Sequence, residues 1–247
     1  MDPSKIKSPC FFISPHLDDA VFSAGGLMIF LAKKNPVTVV NVFTEAGDLP
    51  YTLSAKKYLS VCEVDDARKL FEQRRNEDQK VLEKVGVKVV NLGFVDALWR
   101  KKEGVARFKI IPEFANVYAT FRLGIARGKI SIYDQSLVKN LKKKLSGLVT
   151  NNAIIFCPLG IGKHVDHIIV RDVCSQAFAK LIYWSDFPYL LTNSFDREFV
   201  GKNTSATFVF AKNKKEKEVM IKGYKSQLRI TFPKNKIELV DERYYYA

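Results

Sequence analysis

The chain has 247 residues, 47% hydrophobic and 27% charged, a balance that argues against disorder and is long enough for one large domain or two small ones. Forty Lys and Arg against 26 Asp and Glu leave a formal charge of +14, spread along the chain with short clusters at 142–144 and 212–217. Such a charge attracts anions, but no aromatic-interleaved basic motif accompanies it, so a solvated lysine-rich surface is the preferred reading over a nucleic-acid module. No apolar stretch approaches the roughly 20 residues that cross a bilayer. The apolar part of the N-terminus is about four residues, against about 7–15 for a secretory signal. A soluble, cytoplasmic protein is expected, with its four cysteines, none in a CxxC pair, as reduced thiols.

In chain order, CFFIS (10–14) reads as a short buried strand and DAVFSAGGLMIFLAKK (19–34) as a helix. VTVVNVF (37–43) is a second buried strand. The Lys, Glu and Arg-rich stretch 54–85 reads as one long helix or two. VKVVNL (87–92) is a third strand, closed by Gly93. Residues 93–130 form an excursion able to cover a site, and 134–148 a helix with an Asp cap. AIIFC (153–157) is a fourth strand, followed by PLGIGKH and a helix from Asp166 to about Lys180. LIYW (181–184) is the fifth strand. ATFVFA (206–211), a helix across 214–228 and the tail ERYYY complete the chain. Short, uniformly apolar strands alternating with helices predict an α/β fold: a mainly parallel, Rossmann-like sheet with helices on both faces, in one domain spanning 1–247.

All three histidines follow predicted strands: His16 in HLDD (16–19), His164 and His167 in HVDH (164–167). Residues i and i+3 of a helical first turn share a face, so His16 can converge with Asp19, and His164 with His167. The two cassettes follow the first and fourth strands. If the strand order is 3-2-1-4-5, these strands are neighbours across the switch point where doubly wound sheets bind ligands. Two imidazoles and a carboxylate suit a catalytic zinc with water in the remaining position. The competing reading makes Asp19 a helix cap and the paired aspartates a solvated turn.

SPHLDDAVFSAGG resembles the PHPDD…GG signature of the PIG-L/LmbE-like deacetylase family, and GKHVDH resembles its HPDH motif. RRNEDQKVLEKVGV (74–87), NLGFVD (91–96), WSDFPY (184–189), YKSQ (224–227) and ERYY (242–245) extend the likeness more weakly along most of the chain. Leu17 and Val165 stand where the family usually carries proline, and Ala20 where many members carry Glu.

The resemblance implies removal of an N-acetyl group from an N-acetylglucosamine-type sugar or related amide. It implies Zn2+, or another divalent metal, held by His16, Asp19 and His167. Asp18 would be the general base, although the two aspartates can in principle exchange roles. His164 would stabilise the oxyanion or protonate the leaving amine, as an imidazolium. Asp166 would orient a histidine or simply start a helix. Asp96 and Arg75 would contact substrate, with Arg74 an equal alternative to Arg75. Gly160 and Gly162 are expected to allow a tight loop before the second cassette. The expected partner is a small N-acetylated sugar, without membrane span or nucleic acid, and family analogy allows a homo-oligomer. A metal-dependent phosphoesterase and a non-enzymatic anion or nucleic-acid binder are the alternatives.

Overall fold

The computed structural model describes residues 1–104, 111–233 and 236–247. Its frame is a sheet of strands β1 (Cys10–Ser14), β2 (Val37–Glu45), β3 (Lys88–Val95), β4 (Ile154–Pro158), β5 (Leu181–Trp184), β6 (Ala206–Phe210) and β7 (Glu242–Tyr246). The helices are α1 (Asp19–Ala32), α2 (Leu53–Val61), α3 (Ala67–Glu83), α4 (Pro112–Ala115), α5 (Gln135–Leu148), α6 (Val165–Ala177), α7 (Arg197–Asn203), α8 (Lys214–Ile221) and α9 (Lys225–Thr231). The strand order is β3-β2-β1-β4-β5-β7-β6. The first five strands pair in parallel, in the expected 3-2-1-4-5 order.

One open choice and two differences from the sequence reading have local causes. The stretch 54–85 divides into α2 and α3, with Asp66 accepting the Arg68 N–H to start the second helix. The stretch 214–228 divides at Gly223 and Tyr224 into α8 and α9. The tail is a strand, inserted antiparallel between β5 and β6, because Tyr244 and Tyr245 bury against strands that no parallel neighbour covers. The excursion at 93–130 includes residues 105–110, which lie outside the described residues.

Asp134, read as a helix cap, makes no side-chain capping bond. It is buried, 3.0 Å from Arg100 Nη1, and accepts the Tyr118 hydroxyl at 2.6 Å.

Apolar clusters pack on both faces of the sheet. On one face Phe12 stacks on Phe156 with ring centroids 4.4 Å apart, and Trp184 lies beyond. Burying a side chain of this size stabilises the fold by about 2–3 kcal/mol. Helix α1 is buried nearly all round, the mark of a helix enclosed by the core. Lys217 and Glu242, themselves paired at 2.8 Å, insert into its hydrogen-bond ladder. Lys217 donates to the Ser23 carbonyl, and Glu242 accepts the Gly26 and Leu27 N–H groups. This clamp holds the helix whose first turn carries the paired aspartates.

Candidate metal centre

β1 and β4 lie side by side, with Phe12 opposite Phe156, so the loops leaving their carboxyl ends meet. Asp19 Oδ2 stands between the two cassettes. It is 3.0 Å from His16 Nδ1 and 3.2 Å from His167 Nε2, and it accepts the His16 backbone N–H at 2.9 Å. The His167 Nε2 is buried and makes no hydrogen bond. His167 Nδ1 is 2.8 Å from Asp186 Oδ1, and Asp186 Oδ2 accepts the N–H groups of Gly160 and Ile161. That carboxylate turns the free ring nitrogen towards Asp19.

Two triads offer one ligand atom each within 4.8 Å of one another: His16, Asp19, His167 and His16, His164, Asp166. The first fits a divalent cation better. The buried Nε2 of His167 faces only the carboxylate of the same triad and makes no hydrogen bond, and that histidine is backed by a second carboxylate, as metal-binding histidines usually are. In the second triad Asp166 is already committed. It pairs with Arg100, accepts the Ala97 N–H at 2.9 Å and lies 3.2 Å from His16 Nε2. Its His164 Nδ1 accepts the Asp166 N–H and caps α6.

The electrostatics follow from charges packed away from water. Burial opposes ionisation of Asp19, yet His167 and His16 hold its carboxyl well below the usual range. Burial likewise opposes protonation of His167, and Asp19 with Asp186 brings it up to about 9. His16 rises against the same penalty because Asp166 and Asp19 face its two nitrogens. Asp18 goes the other way: burial and the Asp19 charge push it up to about 7. Its side chain makes no helix-capping bond, which leaves the carboxylate available to the cavity.

His164 departs from expectation. Burial, reinforced by His16, holds it well below the ordinary histidine value, so it is a neutral imidazole. Its Nδ1 accepts a backbone N–H, which leaves the ring proton on Nε2. A cation bound beside it acts in the same direction. The imidazolium read from the sequence is therefore corrected to a neutral hydrogen-bond donor.

His16, Asp18, Asp19 and His164 line a cavity of about 190 Å³, walled also by Tyr58, Trp99, Phe121 and Tyr189. Asp96 lies on its edge, 3.4 Å from His16 Nε2, and burial raises its carboxyl. Arg74 lines the cavity and Arg75 does not. Arg75 turns away, donating to the Thr44 carbonyl at 2.7 Å and pairing with Glu45 at 2.8 Å. Arg74 is 7% exposed, donates to the Tyr58 hydroxyl and retains an unpartnered Nε. Adjacent arginines on a helix point about 100° apart, so only one can face the site.

Four contributors carried no assigned role in the sequence. Asp186 sits in WSDFPY and Gln227 in YKSQ, both legible as motifs. Gln227 lines the cavity, buried, with an unpartnered Nε2. Its position is set by Glu77, which accepts the Ser226 N–H and hydroxyl and ties α9 to α3. Tyr189 closes the same WSDFPY motif, and Arg100 had no sequence signal. The predicted loop glycines have φ of +84° at Gly160 and +87° at Gly162. A Cβ at Gly160 would meet Ile168 at 2.6 Å, and one at Gly162 would meet Tyr189 at 2.7 Å.

The family model PIG-L, GlcNAc-PI de-N-acetylase, matches residues 11–178. A 2'-N-acetylparomamine deacetylase of Niallia circulans is 28% identical over 199 residues, covering 74% of this chain and 68% of the relative. Its namesake from Streptomyces fradiae is 26% identical over 183 residues, covering 72% of this chain and 56% of that one. Among solved structures, the zinc-inhibited form of teicoplanin deacetylase Orf2 superposes with a TM-score of 0.76 at 22% identity, over 96% of this chain and 97% of that one. This last likeness bears on the fold.

Proposed function

The chain belongs to the PIG-L family of GlcNAc-PI de-N-acetylases, and from that premise we propose that it is a zinc-dependent hydrolase that removes the acetyl group from an N-acetylated aminosugar. The observation that carries the reading is the convergence of His16, Asp19 and His167 on one point, with the buried Nε2 of His167 facing Asp19 and making no hydrogen bond. His16, Asp19 and His167 would hold the cation. A bound divalent cation polarises an amide carbonyl and lowers the pKa of water near it.

This chain's residues supply the rest. Asp18, poised near neutrality, takes the proton of the attacking water. Once protonated, the same carboxyl can return the proton to the departing amine. His164 offers its Nε2–H to the oxygen that becomes negative as the carbonyl is attacked. Being neutral, it does so without repelling the cation. Asp166 and Asp186 hold His16 and His167 in orientation. Asp96, Arg74 and Gln227 present an acceptor and donors suited to sugar hydroxyls, and Trp99 and Tyr58 add apolar surface to the wall. Both curated relatives are named 2'-N-acetylparomamine deacetylases, in keeping with an N-acetyl amide as substrate.

The test is acetate release from a panel of N-acetylated aminosugars, with zinc-loaded protein and with chelated protein. Release that requires zinc supports the proposal. Release of phosphate from phosphoesters, with none of acetate, would overturn it in favour of a phosphoesterase.

A further inference from the structure

The loop Leu159–His164 has two sides. One is pinned to Asp186 through the Gly160 and Ile161 N–H groups and so supports His167. The other faces a separate cavity of about 180 Å³ that shares no lining residue with the metal centre. Three cationic side chains line this second cavity, Arg127, Lys163 and Arg171, against the single carboxylate of Asp196.

Arg171 is the informative member. It is 7% exposed, and its guanidinium lies over the Phe199 ring at 3.8 Å. Nε is used, donating to Asp172 at 2.8 Å. Nη1 is buried and makes no hydrogen bond, and the Asp196 oxygen nearest it is 3.7 Å away. A buried cationic donor left unmatched is costly unless something accepts from it. Gly160 also lines the cavity, and a Cβ there would sit beside Nη1, at 3.7 Å. Lys163 and Arg127 are exposed at the rim, where the chain at Gly128 packs on Lys163.

We propose that Arg127, Lys163 and Arg171 form a binding site for a dianionic phosphoryl group, either free phosphate or a phosphate monoester, whose occupancy stiffens the loop that carries His164 and supports His167. A planar guanidinium with an unpartnered Nη, flanked by two exposed cations, matches the oxygens of such a group.

The test is calorimetric titration of the holoenzyme at fixed ionic strength with inorganic phosphate and, separately, with glucose 6-phosphate. Saturable binding of one phosphoryl group per chain is expected, and the tighter of the two probes identifies the source. In R127A/K163N, where Asn tolerates the positive φ at 163, affinity should fall at least about tenfold, the loss of two charge-assisted contacts. K214A/K215A, which removes the same charge from a remote cluster, should bind as the parent does. Equal loss in both variants, or undiminished binding in R127A/K163N, as phosphate on the metal centre would give, overturns the site. Amide exchange at Gly160 and Ile161 should slow with phosphate in the parent and not in R127A/K163N. Binding without that slowing overturns the link to the loop.

Discussion

Asp186 and His167 are joined at 2.8 Å through Oδ1 and Nδ1, and both are about 1% exposed. The other Asp186 oxygen is held by two backbone N–H groups, so the carboxylate has a single orientation. Asp186→Asn places an amide where an acceptor is needed and frees the ring to turn. Zinc affinity should fall about 10–100-fold, measured by competition with a chromophoric chelator. Unchanged affinity would remove Asp186 from the support of the metal.

Asp18→Asn should separate binding from turnover. The substitution leaves the His16, Asp19 and His167 atoms in place, so zinc content should match the parent. Acetate release should drop about 100- to 10,000-fold, the usual contribution of a general base. Loss of zinc together with activity would instead assign Asp18 as a ligand, exchanging its role with Asp19.

The neighbouring arginines should behave oppositely. Arg74→Gln removes a charged donor from the cavity wall, and a lost charged hydrogen bond costs about 1.5–3 kcal/mol. KM should rise about 10–100-fold with a smaller change in kcat. Arg75→Gln breaks a partly exposed pair with Glu45, so its KM should stay near that of the parent. The same rise in both variants would point to a disturbed α3 and remove the assignment.

Arg100 is buried between Asp134 and Asp166, both fully buried. Arg100→Met leaves two carboxylates without their shared cation, and breaking a buried pair costs about 3–5 kcal/mol. Urea unfolding should show a loss of that size. A loss under about 1 kcal/mol, the worth of a surface pair, would mean that water reaches the carboxylates.

Asp78 provides a pH test away from the metal. It is 1% exposed, accepts from Tyr224 and Asn41, and burial pushes its carboxyl up to about 7. An unfolded Asp titrates near 3.9, so between about pH 4 and 7 the folded chain holds a proton that the unfolded chain has released. This contribution to stability is present in full at low pH and is lost as pH rises through the window, at up to about 1.4 kcal/mol per pH unit. Asp78→Asn keeps the acceptor for Tyr224 and cannot ionise. The stability difference between variant and parent should therefore grow in the variant's favour from pH 4 to 7. A difference that is flat with pH would show Asp78 ionised in the folded chain.

Much of this was readable in the sequence, because it rests on local patterns. The five apolar runs from CFFIS to LIYW appear as parallel strands with small changes of boundary, since uninterrupted apolar residues have only a doubly covered sheet in which to bury. The two histidine cassettes announced themselves by spacing, and the strand order brought them together. The C-terminal tyrosines had no such pattern. Their strand exists because β5 and β6 leave a gap that only an antiparallel segment from the far end of the chain fills.

Sequence by itself determined which side chains are available for chemistry: three histidines, two of them after the fourth strand, and aspartates at fixed offsets from them. Which arginine faces the cavity, that His164 is neutral, and that Asp186 and Arg100 hold the histidines' surroundings were decided only in three dimensions. Helical rotation, burial and the charges of residues remote in the chain set those properties. They are pairwise and depend on distance, and spacing along a sequence carries no record of them.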